Sequence, residues 1–243
     1  MSPNKIHLSI IIPTLNEERY LPKLLRTIMD QTFRNYEVIV SDSESNDRTR
    51  DIAQRWGCEV VVGPQKGPGY GRNIGANIAQ GKILLFLDAD VILPTRDFLK
   101  QQVEEFTARD LAAASCYSRP TEGRPLYRGI FAMGNLYMRL FQGIDPHAAY
   151  AIFAKKGVHE KVGGFDVSPV FREDHDYAKR INKFGKFGIL ESRGVLVSTR
   201  RFQEDGLMRT LKPWLLSEVL RPFGKQSYRK FNYKFGHYRN IDN

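Results

Sequence analysis

The sequence predicts an α/β protein built on a mostly parallel central sheet, and three observations predict it. Short β-branched runs at 8–12, 37–40, 59–62 and 83–87 alternate with stretches of helical periodicity, the pattern of βαβ units whose strands are covered on both faces. The 243 residues, 42% hydrophobic and 26% charged, have the composition of a globular protein with enough chain to bury a substantial core. No apolar run approaches the roughly 20 residues that span a bilayer, and neither an internal repeat nor a low-complexity segment occurs.

The elements follow in order. After the first strand, Asn16 is a candidate helix cap, and Leu21, Leu24, Leu25 and Ile28 recur at i, i+3, i+4 and i+7. Asp47 is a second candidate cap, ahead of Ile52, Ala53 and Trp56 on one face; Leu99, Val103 and Phe106 repeat the pattern after the fourth strand. From 119 to 150 the text changes to Gly, Pro, Arg and aromatics. There Ile130, Phe131, Met133, Leu136, Tyr137, Leu140 and Phe141 make an unusually apolar stretch, expected to be an inserted helical or loop region. A strand at 151–154 leads to the turn Gly163-Gly164-Phe165-Asp166, a helix from about Glu173, strands near 187–190 and 195–198, and a basic helical tail after Arg201.

The formal net charge of +10 implies an anionic partner: nucleic acid, an acidic membrane surface or a phosphorylated substrate. Within the tail, Lys and Arg from Lys212 to Arg239 are interleaved with Trp214, Phe223, Tyr228, Phe231, Tyr233, Phe235 and Tyr238. That mixture suits an anionic membrane interface and also single-stranded nucleic acid. The apolar stretch at 130–141 favours the membrane, because a nucleic-acid groove does not need it. Residues 1–8 lack a signal-peptide pattern, and the two cysteines, Cys58 and Cys116, sit in apolar runs as small buried hydrophobes. The expected location is cytoplasmic, with peripheral contact at the inner face of the membrane.

In open α/β sheets ligands bind beyond the carboxyl ends of the strands. After the first strand stand Pro13, Thr14, Leu15, Asn16 and Glu17, which can receive a base or ribose at a helix N-terminus; after the second stands Asp42, able to accept an imide or amide N–H of a base. Either segment also fits ordinary turn and capping chemistry. The fourth strand ends in Asp88-Ala89-Asp90. Two carboxylates one residue apart at a strand end offer hard oxygen ligands suited to Mg2+ or Mn2+, with a diphosphate completing the shell, although such triplets also occur in acidic turns. The run 67–75 is glycine-rich and carries Arg72, which can reach a phosphate or base; a loop entering a helix is the alternative. It is neither a Walker loop nor a dinucleotide fingerprint.

Taken jointly, these segments resemble the family 2 glycosyltransferases, inverting enzymes of the GT-A fold. The resemblance runs from about Leu8 to Arg201 and rests on 9–17, 40–49, 71–75, Asp88-Ala89-Asp90, 163–166 and Glu173-Asp174. It implies a three-layer α/β/α domain over 1–202, with a nucleotide-sugar-binding half at 1–110, an acceptor-binding half at 111–202, and a basic, aromatic-rich extension at 203–243. It further implies a nucleotide-diphosphate sugar donor, with Pro13, Thr14, Asn16, Glu17, Asp42 and Arg72 lining the nucleotide pocket. Asp88, Ala89 and Asp90 would bind ribose, diphosphate and metal, Asp90 being the foremost direct ligand, and Asp174 would be the general base toward an acceptor hydroxyl. Read without the resemblance, the acidic run 173–176 equally fits a helix start favoured by the macrodipole, with His175 at the surface or behind Asp174.

Two departures stand out. Ser43 occupies a position where many members carry a second aspartate, and 197–201 lacks the histidine that completes the metal shell in many of them. Arg200 or Arg201 is expected to clamp the diphosphate instead, as a bidentate guanidinium can. A nucleotide-sugar pyrophosphorylase would need a Gly-rich loop directly after the first strand, and a non-catalytic nucleic-acid-binding protein leaves Asp88, Asp90 and Asp174 without a purpose. The preferred acceptor is lipid-linked or membrane-proximal, and no nucleic acid is expected as a partner.

Overall fold

The computed structural model describes residues 6–168 and 173–220, with the side chains of Trp214 and of 217–220 left aside. The elements are β1 (Leu8–Thr14), α1 (Leu21–Met29), β2 (Tyr36–Asp42), α2 (Thr49–Arg55), β3 (Glu59–Val62), α3 (Pro68–Ile78), β4 (Ile83–Leu87), β5 (Val91–Ile92), α4 (Phe98–Ala108) and β6 (Ala113–Pro120). They continue as α5 (Pro125–Phe141), β7 (Ala151–Lys155), α6 (Lys156–Lys161), α7 (Glu173–Ile181), β8 (Phe187–Val197), α8 (Arg200–Glu204) and α9 (Leu207–Leu220). Of the expected extension, residues 221–243, with Phe223, Tyr228, Phe231, Tyr233, Phe235 and Tyr238, lie outside the described residues.

One eight-stranded sheet runs in the order β3-β2-β1-β4-β7-β6-β8-β5. Its first four strands are mutually parallel, as the βαβ alternation predicts. The second half makes the sheet mixed, because β7 pairs antiparallel with both β4 and β6, β5 pairs antiparallel with β8, and β6 pairs parallel with β8. The strand direction changes at β4/β7, whose antiparallel pairing runs to Leu87↔Ala151, and Asp88 follows at the end of β4. Two apolar cores flank the sheet: Ile10, Ile12, Leu85 and Leu87 face α1, α2 and α4, whereas Ile11, Ile39, Leu84 and Phe86 face α3 and α7. This alternation is the period-2 pattern of strands buried on both faces. Gly75 lets α3 lie close on β1, since a Cβ there would sit 2.5 Å from Ile11 Cγ2.

Leu21, Leu24, Leu25 and Ile28 are fully buried on α1, but Asn16 does not cap that helix. Its φ is +55°, the helix begins only at Leu21, and the Glu17 carbonyl takes the first N–H groups, from Tyr20 and Leu21. The Asn16 side chain instead accepts the Asn46 N–H. Asp47 does serve the start of α2, accepting the Thr49 N–H at 2.9 Å. The two strands expected near 187–190 and 195–198 are one strand, β8, with an irregular register opposite Cys116–Ser118. The glycine-rich run 67–75 is mostly the first turns of α3, and the inserted region is the single helix α5. Cys58 and Cys116 are buried free thiols, pushed up to about 11 and about 12 by burial.

Candidate active site

The carboxyl ends of β1 and β2 are laced together. Thr14 Oγ1 donates to Asp42 Oδ2 at 3.0 Å, and Ser45 donates to both oxygens of Asp42, from its backbone at 2.9 Å and its hydroxyl at 2.5 Å. Ser45 Oγ in turn accepts the Asn16 N–H, and Thr49 Oγ1 accepts the Glu17 N–H. Asp42 is completely buried, so its carboxylate braces two loops here and faces no open space. Ser45 and Thr49 are brought into this cluster although no sequence signal beyond a polar loop singles them out.

Asp88 follows β4 directly, with its N–H bonded to the Tyr150 carbonyl at 3.0 Å across the β4/β7 junction. From the first turn of α3, Arg72 reaches Asp88 Oδ1 at 2.8 Å and Glu173 Oε1 at 2.7 Å. Arg72 is thereby joined to Glu173, 101 residues away in sequence, and holds Asp88 on the same guanidinium. Arg72 is 4% exposed and lies 5.2 Å over the Phe165 ring, so it is committed to carboxylates at this point and not extended toward a phosphate. The Gly163–Asp166 turn is fastened to α3 by Asn73, whose amide group donates to the Phe165 carbonyl and accepts the Phe165 N–H, both at 2.8 Å.

Asp90 is reached from the other side. The Ser198 N–H bonds the Asp90 carbonyl just past the β5/β8 pair, which delivers α8 to the site. Arg200 forks onto both oxygens of Glu17 at 2.8 Å each and stands 3.0 Å from Asp90 Oδ2, with its guanidinium 4.2 Å over the Tyr20 ring. A buried bidentate pair of this kind fixes geometry. Arg200 thus joins the first loop to the Asp88-Ala89-Asp90 turn, in which Ala89 is buried. Burial raises the pKa of both Asp88 and Tyr150, and Arg201 lies close enough to pull both back down.

Asp174, in the first turn of α7, keeps about a fifth of its side chain exposed. Its Oδ1 accepts the His175 N–H at 2.8 Å and faces His175 Nδ1 at 2.7 Å. Burial pushes this carboxyl up, but His175 and then Arg72 outweigh it and hold the group well below the usual carboxylate range. Next to it, burial and the Asp174 charge push Glu173 upward against Arg72. Behind His175 the buried His147 packs edge-on at 4.4 Å between ring centres. Asn73, His147 and Tyr150 were not legible as site residues from the sequence, because their roles depend on partners distant along the chain.

Among the described residues no group of three or more His, Cys, Asp or Glu forms a complete metal cage. Asp88 and Asp90 nevertheless fit a divalent cation as half of a shell. Both are hard oxygen donors at one strand end, and burial raises Asp88, with Arg72 opposing and the Asp90 charge adding to the rise, so a cation here would favour the ionised pair.

Solved structures that share this fold include glycosyltransferases of the GT-A type. The mannosyltransferase PcManGT from Pyrobaculum calidifontis, solved with GDP-Man and Mn2+, superposes with a TM-score of 0.72 at 22% identity, over 92% of this chain and 67% of that one. Residues 1–349 of TarS from S. aureus, solved with UDP, give 0.65 at 18% identity, over 94% and 76%. The sequence model of Glycosyl transferase family 2 matches residues 9–166. The PGL/p-HBAD biosynthesis glycosyltransferase of Mycobacterium bovis (strain BCG / Pasteur 1173P2) is 32% identical over 178 residues, 70% of this chain and 67% of that protein. The chain belongs to glycosyl transferase family 2. It covers 28% of another relative, the 4,4'-diaponeurosporenoate glycosyltransferase of Staphylococcus haemolyticus, at 38% identity over 41% of this chain.

Proposed function

We propose that the protein is an inverting glycosyltransferase that moves a sugar from a nucleotide-diphosphate sugar to an acceptor hydroxyl. One observation carries this: Arg72 binds Asp88 and Glu173 at once, which sets the paired carboxylates at the end of β4 beside Asp174 on α7. A donor-side pair and a base are thereby held on one rigid support, the arrangement that a single displacement requires. The β1 and β2 loops, with Pro13, Thr14, Leu15, Asn16 and Glu17, form the nucleotide end, and Asp42 braces them from within. Residues 1–110 thus supply the donor half and 111–202 the acceptor half. Glycosyltransferase neighbours carry UDP or GDP-Man, which makes uridine and guanosine diphosphate sugars the donors to test.

Bound at Asp90 and Asp88, Mg2+ or Mn2+ would supply Lewis-acid stabilisation of the departing diphosphate. Arg201 adds positive charge beside the same carboxylates. His175 fixes Asp174 through Oδ1 and, with Arg72, keeps it ionised. Oδ2 is then the oxygen that takes the proton as the acceptor oxygen bonds to the anomeric carbon on the face opposite the leaving diphosphate. The configuration inverts because only one displacement occurs. The acceptor is a hydroxyl on a lipid-linked or membrane-proximal molecule.

Nucleoside diphosphate release from UDP- and GDP-sugars with Mn2+ tests this reading. Asp174→Asn should cut turnover by about 10²–10⁴-fold while donor affinity holds. Undiminished turnover would remove Asp174 from the base role.

A further inference from the structure

The inner side of α5 is fully used. Tyr127, Phe131 and Met138 are buried, Phe131 stacks on Tyr150 and meets Phe202 of α8, and the Asn135 amide group bonds both backbone groups of Ser118 on β6. The outer side is bare. Leu126, Met133, Leu136, Leu140 and Phe141 are 58%, 72%, 55%, 65% and 40% exposed, and Ile144 just beyond the helix is 84% exposed. At 100° per residue, positions 126, 133, 136, 140 and 141 fall within one arc of less than half the helix, together with Gly129 and half-buried Ile130 and Tyr137. The helix has no Asp or Glu, and its two charges, Arg128 and Arg139, lie three turns apart on the flank that adjoins that arc, with Arg139 4.0 Å from Glu191.

We propose that the outer face of α5 docks on an anionic lipid surface, with its apolar arc in the headgroup–acyl boundary and Arg128 and Arg139 at the phosphates. An interfacial helix is recognised by such a layout, an uncharged apolar arc with cations at its margin whose stems reach back to water. Charge selects this occupant over a second copy of the chain. The protein carries a net charge of +10, so two copies meeting here repel, whereas an anionic bilayer attracts. The exposed arc is of the size that functional patches on monomers reach, and it overlaps the lower end of what each partner of a standard dimer buries, so charge separates the two occupants and area does not. None of the described helices is long and apolar enough to cross a membrane, so the contact is peripheral.

Position gives the docking a purpose. Phe131, on the inner side of the same helix, packs on Tyr150, whose carbonyl holds the Asp88 N–H. A lipid surface against the outer face therefore lies about one helix diameter, ~10 Å, from the layer supporting the carboxylates. An acceptor carried on a lipid headgroup would then approach the site from the α5 side. This last step rests on the transferase reading; the docking itself does not.

Flotation of the full chain with vesicles of pure phosphatidylcholine, and with about one third phosphatidylglycerol, tests the proposal. The wild type should float with the anionic vesicles. Met133→Ser/Leu136→Ser/Leu140→Ser should lower that partition by at least about tenfold, since one such side chain fully withdrawn from water accounts for that factor. All three side chains are exposed, so thermal melting and calorimetric nucleoside diphosphate binding should match wild type. Failure of the wild type to float, undiminished flotation of the triple variant, or a dimer that the triple variant converts to monomer in light scattering would overturn the docking. Lack of diphosphate binding with flotation intact would overturn the transferase reading alone.

Discussion

Replacing Arg72 with methionine removes the one cation shared by Asp88 and Glu173 while leaving an apolar stem against Phe165. Arg72 is 4% exposed, and its two partners lie at 2.8 and 2.7 Å. Removing one partner of a buried pair costs about 3–5 kcal/mol, because the remaining charge has lost its water and its counterion. Asp88 is 32% exposed and can be rehydrated, whereas Glu173 is 8% exposed and cannot, so the lower end, about 3 kcal/mol, applies. For a chain of this size that is a fall in Tm of roughly 6–12 °C. Urea and thermal unfolding followed by circular dichroism at pH 8 measure it. Adding Glu173→Gln should recover at least half of the loss, because the stranded charge is then gone. A loss below about 1 kcal/mol, or no recovery in the double variant, would refute a charge-bridging role for Arg72.

Two further substitutions probe the same region. In the folded protein burial and then Asp174 raise Glu173 from its ordinary 4.5 to about 7, so between those values the folded state holds a proton that the unfolded chain releases. Stability should therefore decline as pH rises through that window, and Glu173→Gln should flatten the decline; parallel wild-type and variant curves from pH 4 to 8 would contradict the assignment. Gly164→Ala should destabilise by about 1–3 kcal/mol in urea unfolding, because a side chain strains backbone of this conformation. Its φ is +70° and the new Cβ would lie 2.5 Å from Asn73 Oδ1, an atom held in place by the Phe165 N–H. A cost under a few tenths of a kcal/mol would mean that the turn relaxes freely.

What could be read from the sequence was what local periodicity encodes. Leu21, Leu24, Leu25 and Ile28 on α1, and Leu99, Val103 and Phe106 on α4, are buried as their spacing requires, and 83–87 is a fully buried strand. Local chemistry misled at Asn16, where a capping residue adopts a left-handed conformation and serves the neighbouring loop instead. The two-residue β5 is too short for any pattern, and the break in the 187–197 text marked a register shift within one strand. At the site, residue types were legible and partners were not. Nothing near Arg72 announces Glu173, and nothing near Glu17 announces Arg200, 183 residues away. Such pairs are set by the sheet's change of direction at β4/β7, which depends on long-range pairing that single-sequence periodicity does not carry.

The proposed metal-assisted diphosphate site at Asp90 and Asp88 can be probed by binding. Isothermal calorimetry with UDP and GDP, each with Mn2+ or with chelator, on wild type and Asp90→Ala, tests it most directly, with an unphosphorylated nucleoside as control. Metal-dependent binding of one of the two diphosphates is expected, lost on chelation and lost in an Asp90→Ala protein that still unfolds cooperatively. Binding that ignores both the chelator and the substitution, or no binding of either diphosphate by folded wild type, would contradict it.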